Sequence, residues 1–424
     1  MIAVSLTSAV DSLDWRCAAI VAMLASVVCV HVVVNALLGR LIIAGPPAWP
    51  RLGCIDGLRG YLAICVLVHH FVIWTFLKAG SGWSPPPSNM FNNLGQAAVV
   101  VFFMITGALF YAKIIDRDSR FSWAQLYVSR IFRIVPLYWL VTTAVIAIVA
   151  FKSGGFPGDP GRNLLAIMKW LTFQGMPNLA GVQGSGRFVA YAPWTLAYEW
   201  LFYFSLPLLA LVCGAARSLS MPTFAAPLVI ATVGTIVSPI AFGGWRLSFV
   251  LPFALGMLAI ELTRRPQVAG LLRMPAWAWI GVASLGLAMT QFPTAFESTP
   301  QIILFVFFLT VAAGNTYFGI LSHPTSLVLG DASYSIYLLH GLVLSLFMGE
   351  LLGPASGRPD TFIWVALPVL ATVVCTVSIF TYHRLEAPAI ASGKRFARGI
   401  QQATSLRPFA FKRAAGPARR SGQL

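Results

Sequence analysis

Apolar residues along this chain come in unbroken runs of about 20 rather than at every second position. A helix rises 1.5 Å per residue, so a run of about 20 spans the roughly 30 Å of bilayer hydrocarbon. The pattern predicts helices over residues 17–43, 58–77, 95–113, 134–151, 194–213, 223–242, 246–263, 276–291, 300–321, 327–352 and 361–383. The fold class is therefore all-α, a polytopic transmembrane helix bundle of about eleven spans. The breaks carry turn chemistry: GPPAWPR at 45–51, SGWSPPPS at 81–88 and the charged KIIDRDSRFSW at 113–123. The connection 152–193 is long for a helix bundle and holds NLLAIMKWLTF, which predicts a short interfacial helix, followed by the loop GVQGSGR.

Composition agrees. Hydrophobic residues make up 58% of the 424 residues and charged ones 10%, against about 25% in a soluble domain. Mean hydropathy is +0.79. The formal net charge of +16 would point to nucleic acid in a soluble protein. Here the cations fall in short loops and the C-terminal tail. With the N-terminus outside and the C-terminus inside, 21 of the 29 Lys and Arg lie on the inner side and 8 on the outer. The basic tail reads as a tether to anionic lipid, with no nucleic-acid partner. Six scattered cysteines, without a CxxC pair, read as small buried hydrophobes. No cluster has metal-ligand spacing, so no metal is expected. The chain divides into an N-terminal segment with one membrane helix (1–53), a membrane domain (54–390) and a basic, disordered tail (391–424). No internal repeat of the kind found in transporters is present.

Ionisable side chains inside spans are costly, about 2.5–3.5 kcal/mol on insertion scales, and need a partner or a task. Arg59 and His70 are eleven residues apart, three helical turns plus about 20°, so they share a face about 16.5 Å apart along the axis. His69 lies about 100° round. The pair suits a phosphate-bearing donor gripped by Arg59 with its reactive end at His70; simple helix packing is the alternative. Arg130 and Arg133 share a helical face at a membrane edge, as a ligand grip or as topology signals. Tyr334, Tyr337 and His340 form one stripe that lines a pocket or packs in the core. Trp170, Phe173 and Trp194 can stack on sugar faces or anchor the chain at the interface. His31 and Asn35, on the first helix, are placed for bonds between helices.

Six segments, in order, resemble the acyltransferase 3 family of integral-membrane enzymes that acylate hydroxyl groups. Asp56, Gly57, Leu58, Arg59, Gly60 and His70 match its opening motif. GQAAVVVFFMITGALF (95–110) resembles its second region, with Thr106 and Ala108 in place of the usual Ser and Phe. Arg130, Arg133, Pro136 and Tyr138 match a basic segment; Trp194, Leu196, Glu199, Phe202, Tyr203 and Pro207 match a Trp/Glu segment. LGDASYSIYLLHGLV (329–343) and Glu386 with Pro388 complete the series. The resemblance implies an acyl-coenzyme A donor, most often acetyl-coenzyme A, and a hydroxyl on a glycan, exopolysaccharide or lipid-linked saccharide as acceptor, in a bacterial inner membrane. His70 would be general base or transient acyl carrier. Glu199, a few residues into its helix from the outer face, is at a depth to meet the mid-membrane His70 and orient it or stabilise its cation; pairing with an arginine for structure alone is the alternative. Arg59, Arg130 and Arg133 would hold the donor, and Trp194, Tyr334, Tyr337 and His340 would line the substrate pocket. Two other classes remain open on the residues alone: a transporter or flippase that uses Arg, His and Glu as a path, and a non-catalytic sensor with a basic tail.

Overall fold

The computed structural model describes residues 2–41, 53–116, 122–242, 245–351 and 361–405. Helices come in this order: α1 (Ile2–Leu41), α2 (Cys54–Lys78), α3 (Asn89–Ile115), α4 (Trp123–Lys152) and α5 (Pro160–Leu171). Then follow α6 (Trp194–Ser218), α7 (Ala225–Val237), α8 (Val250–Thr263), α9 (Pro266–Leu272) and α10 (Pro275–Thr290). The last five are α11 (Ser298–Ala312), α12 (Pro324–Asp331), α13 (Ser333–Ser345), α14 (Ala366–Thr381) and α15 (Ala387–Ser405). A two-residue hairpin, Ala241–Phe242 against Trp245–Arg246, is the one ladder among the described residues.

The all-α architecture matches expectation; the spans are more irregular. Among the described residues six helical segments are long and apolar enough to cross a membrane, or up to eight if each of two bent pairs is one span. The bends are 108° between α8 and α9 and 68° between α12 and the segment that begins α13. The first break precedes Pro266, whose missing N–H favours a helix start there, and the second falls at Ala332, the C-cap of α12. Three further apolar helices, α7, α10 and α11, hold 13, 16 and 15 residues, short of a full crossing. Six to eight segments of the described residues thus have the length and composition of a span, against the expected count of about eleven.

Two other boundaries differ. Helix α4 begins at Trp123, eleven residues ahead of the predicted span, so Arg130 and Arg133 lie within it. Its N-cap Ser122 accepts a bond from Gln125 N–H at 3.4 Å. The tail was expected to be disordered from residue 391. Helix α15 instead continues to Ser405 and packs on α4, with Phe396 against Phe132 at 6.1 Å between ring centroids. The rest of that tail lies outside the described residues. The predicted interfacial helix is α5. Asp159 caps it, accepting from Gly161 N–H at 2.8 Å, and Leu164, Leu165 and Met168 face outward.

The centre of the bundle is α2, flanked by α3, α12 and α13, with α8 behind α3. Glycine sets how closely these helices meet. A Cβ on Gly57 would run into the Leu321 carbonyl, and one on Gly330 into the Asp56 carbonyl. The glycines of the D-G-L-R-G motif therefore have a packing reason: they bring backbone against backbone, as small residues do between membrane helices. Gly107 of α3 and Gly256 of α8 form a second such contact, against the backbone of Phe253 and Met104. Gly256→Ala should lower the apparent melting temperature of the purified protein in detergent by several degrees, an overpacking cost of about 1–3 kcal/mol. Gly286→Ala, which meets nothing within 4 Å, should leave it unchanged.

Candidate active site

Two cavities open within the bundle. The first, about 690 Å³, is lined by Arg59 of α2, Lys113 of α3, and Arg130 and Arg133 of α4. Asp56, Asp116 and Glu199 share its wall. Arg130 and Lys113 sit over the Phe110 ring at 5.3 and 5.1 Å, and Arg133 is 8% exposed. The buried Arg130 Nε has no hydrogen-bond partner among the described residues. A cavity that gathers four cations, with a guanidinium N–H still to be satisfied, suits a ligand carrying phosphates or carboxylates.

Glu199 belongs to this cavity. Its Oε1 accepts from Tyr203 Oη at 2.7 Å and from Thr106 Oγ1 at 3.4 Å. The structure does not bring it to His70, contrary to the expectation that it orients that ring. Depth in the membrane placed the two at similar levels, but α6 meets α3 and presents Glu199 toward the arginines.

The second cavity, about 1550 Å³, is lined by His69, His70, Trp83, Trp194, Tyr198, Trp200 and Trp245 among others. Among the described residues Arg246 is the single charged side chain on its wall. Polar groups come from Asn92, Gln96 and Thr294. Aromatic faces with scattered amides and hydroxyls are the surfaces that hold sugar rings, with the faces taking C–H groups and the polar atoms taking hydroxyls. Trp194 lines it as expected. Phe173 does too, stacked on Tyr138 at 4.1 Å. Trp170 does not: it is fully buried and donates Nε1–H to Pro177 O at 2.9 Å, so its role is in the core.

His70 has a partner that the stripe at 334–340 contained without revealing it. His340 Nε2 lies 3.0 Å from His70 Nδ1, and the His340 side chain is completely buried. His340 Nδ1 lies 3.2 Å from Ile336 O, which can only accept, so the proton sits on Nδ1 and Nε2 is an acceptor. His70 Nδ1, also 3.0 Å from Val66 O, then carries its own proton toward both acceptors. In this tautomer the lone pair of His70 is on Nε2. Trp83 stacks on the His70 ring at 6.4 Å, and the Ala190 backbone reaches the same ring. His69 is held separately, Nδ1 to Phe91 O at 2.9 Å. The predicted stripe is thus divided: Tyr334 lines the first cavity, Tyr337 lines both, and His340 stands behind His70. The signal that finds the pair is a simple one, since a fully buried membrane histidine must bond something and few candidates lie in spans.

The bundle defines an integral-membrane protein in which a cationic cavity adjoins an aromatic one containing a histidine pair. The chain belongs to the acyltransferase domain family, whose model matches residues 52–383. It is similar to the exopolysaccharide production protein ExoZ of Rhizobium meliloti (strain 1021), 29% identical over 315 residues that cover 71% of this chain and 91% of ExoZ. It is also similar to the acyltransferase MdmB of Streptomyces mycarofaciens, 23% identical over 374 residues that cover 79% of this chain and 89% of MdmB. No solved structure matches. Family membership places the chain with transferases rather than with the transporter or sensor readings.

Proposed function

We propose that this protein is an O-acyltransferase that moves an acyl group, most often acetyl, from acyl-coenzyme A to a hydroxyl of a glycan, exopolysaccharide or lipid-linked saccharide. The donor's phosphates occupy the cationic cavity of Arg59, Arg130 and Arg133, and the acceptor occupies the aromatic cavity. The observation that carries the reading is the His340–His70 bond, which leaves His70 Nε2 as a base on the aromatic cavity, beside a separate site for an anionic ligand.

The acceptor hydroxyl gives its proton to His70 Nε2 as its oxygen attacks the thioester carbonyl. A new C–O bond forms, the C–S bond breaks, and the proton passes to the departing thiolate. His340 holds the imidazole in the required tautomer, the part given to Glu199 on sequence grounds. Glu199 offers the donor a half-buried acceptor for an amide or hydroxyl. Enclosure by α2, α3 and α13 limits attack by water on the thioester.

In membrane orientation, the charge bias supports an N-terminus outside, a C-terminus in the cytoplasm and the arginine cavity facing the cytoplasm, in a bacterial inner membrane. The name of ExoZ, with its link to exopolysaccharide, supports a saccharide acceptor.

Purified protein, labelled acetyl-coenzyme A and saccharide from a host lacking the gene test the reading. His70→Ala should cut kcat by about 10²–10⁴-fold, the range for a lost general base, while His69→Ala keeps most of it. Full transfer by His70→Ala would overturn the mechanism. His340→Ala should lower kcat with little change in donor KM. Glu199→Gln and Arg59→Lys should raise donor KM, with Arg59→Lys becoming more sensitive to salt. A reporter fused at the C-terminus should read as cytoplasmic.

A further inference from the structure

The two cavities have just two lining residues in common, Val99 of α3 and Tyr337 of α13. Tyr337 is 6% exposed. Its ring lies edge-on to Phe102 at 6.3 Å and tilted against His340 at 6.1 Å. Its hydroxyl donates to Ala192 O at 2.8 Å and shares a bond with Thr195 Oγ1 at 2.7 Å. Both partners belong to the turn and first residues that lead into α6, just past Ala190, which touches His70. The phenol thus forms one side of the partition and is pinned by two hydrogen bonds, while a β-branched side chain forms the other.

A donor gripped by its phosphates in the first cavity presents its acyl group as the leading end. That group has to cross between Val99 and Tyr337 before the thioester carbon can meet a hydroxyl activated by His70. With the phenol held by its bonds to Ala192 and Thr195, a two-carbon acyl group fits between it and Val99. The added methylenes of a longer chain need the volume that the phenol ring fills, or extend into the aromatic cavity and displace the saccharide.

We propose that Tyr337, with Val99 opposite, is a specificity-determining residue that restricts the reaction to short acyl donors. The proposal rests on the acyl-coenzyme A reading above. A tyrosine that merely packs the core would affect stability and overall rate but not the ratio between donors.

The test compares thiol release from acetyl-, butyryl- and hexanoyl-coenzyme A by the purified full-length protein. Saccharide from a host lacking the gene serves as acceptor and His70→Ala as the blank. The wild type should favour acetyl over hexanoyl by at least about tenfold in kcat/KM, the ratio for roughly 1.4 kcal/mol of discrimination. Tyr337→Ala should reduce that ratio about tenfold, and Tyr337→Phe, which keeps the ring, should preserve most of it. Val99→Ala, which widens the gap from the other side, should reduce the ratio as well. A wild type that uses hexanoyl as well as acetyl overturns the proposal. So does an active Tyr337→Ala with the wild-type ratio. If Tyr337→Ala is inactive with every donor, Val99→Ala decides, and an unchanged ratio there overturns the proposal. Absence of release by the wild type from any donor, above the blank, is a different result: it removes the acyl-coenzyme A reading, and this inference with it.

Discussion

An ionisable or hydroxyl-bearing side chain in hydrocarbon has no water to turn to, so the protein itself must solvate it. Much of this bundle follows from that constraint. Glu261 is met by Tyr111 Oη at 2.7 Å and Thr223 Oγ1 at 2.6 Å. Glu386, almost wholly buried, takes a bond from Ser335. His340 bonds His70 on one nitrogen and its own helix on the other. Such bonds need the helices close, and the glycine contacts between α2 and α12 and between α3 and α8 bring backbones near enough for short side chains to meet. Where the cations outnumber what the carboxylates can satisfy, the bundle leaves a cavity rather than a packed core.

The two cavities divide the chemistry by charge. One holds four cations and three carboxylates; the other has aromatic rings, amides and a single Arg246. Helix α2 contributes to both, Arg59 to one and His70 to the other, and α13 repeats this with Tyr334 and the His340 that backs His70. Two helices that each carry both functions keep the distance between them fixed, because a helix does not stretch. The cationic cavity and the His70 ring therefore stand at a defined separation. In such a site orientation and exclusion of water contribute much of the rate, and both come from packing rather than from any one side chain.

The long apolar runs made the helical class legible, and ordered short motifs made the family legible. The Arg59–His70 spacing was legible too, since helical phase is a property of one element. What failed needed two elements. Glu199 was assigned to His70 because their depths agree, but depth fixes a position along the membrane normal and leaves the direction around each helix open. His340 was seen as one of a stripe, and its bond to His70 spans 270 residues of sequence. Trp170 looked like an interfacial sugar contact because hydropathy cannot tell an outward tryptophan from an inward one. The bend at Ala332 divides what hydropathy reads as one span over 327–352, because a turn enclosed by protein keeps its apolar composition.

Helix α1 lies before the region that the family model matches, and none of its described residues lines either cavity. It runs along α14, and Trp15 stacks on Trp364 at 6.0 Å. It also sends one imidazole into the bundle: His31 Nε2 meets Tyr61 Oη at 2.9 Å, and Tyr61 in turn meets Ser326 Oγ at 2.9 Å. Tyr61 is two residues from Arg59 and Ser326 two from Val328, which packs in the same core as α14. Lipid tails offer such hydroxyls nothing. By standing where those tails would lie, α1 acts as a piece of fixed solvent for the outer side of α2. Ser326 gives its own proton to Ile320 O at 2.7 Å, so in a relative without this helix Tyr61 would turn to the serine oxygen for the bond it now shares with His31.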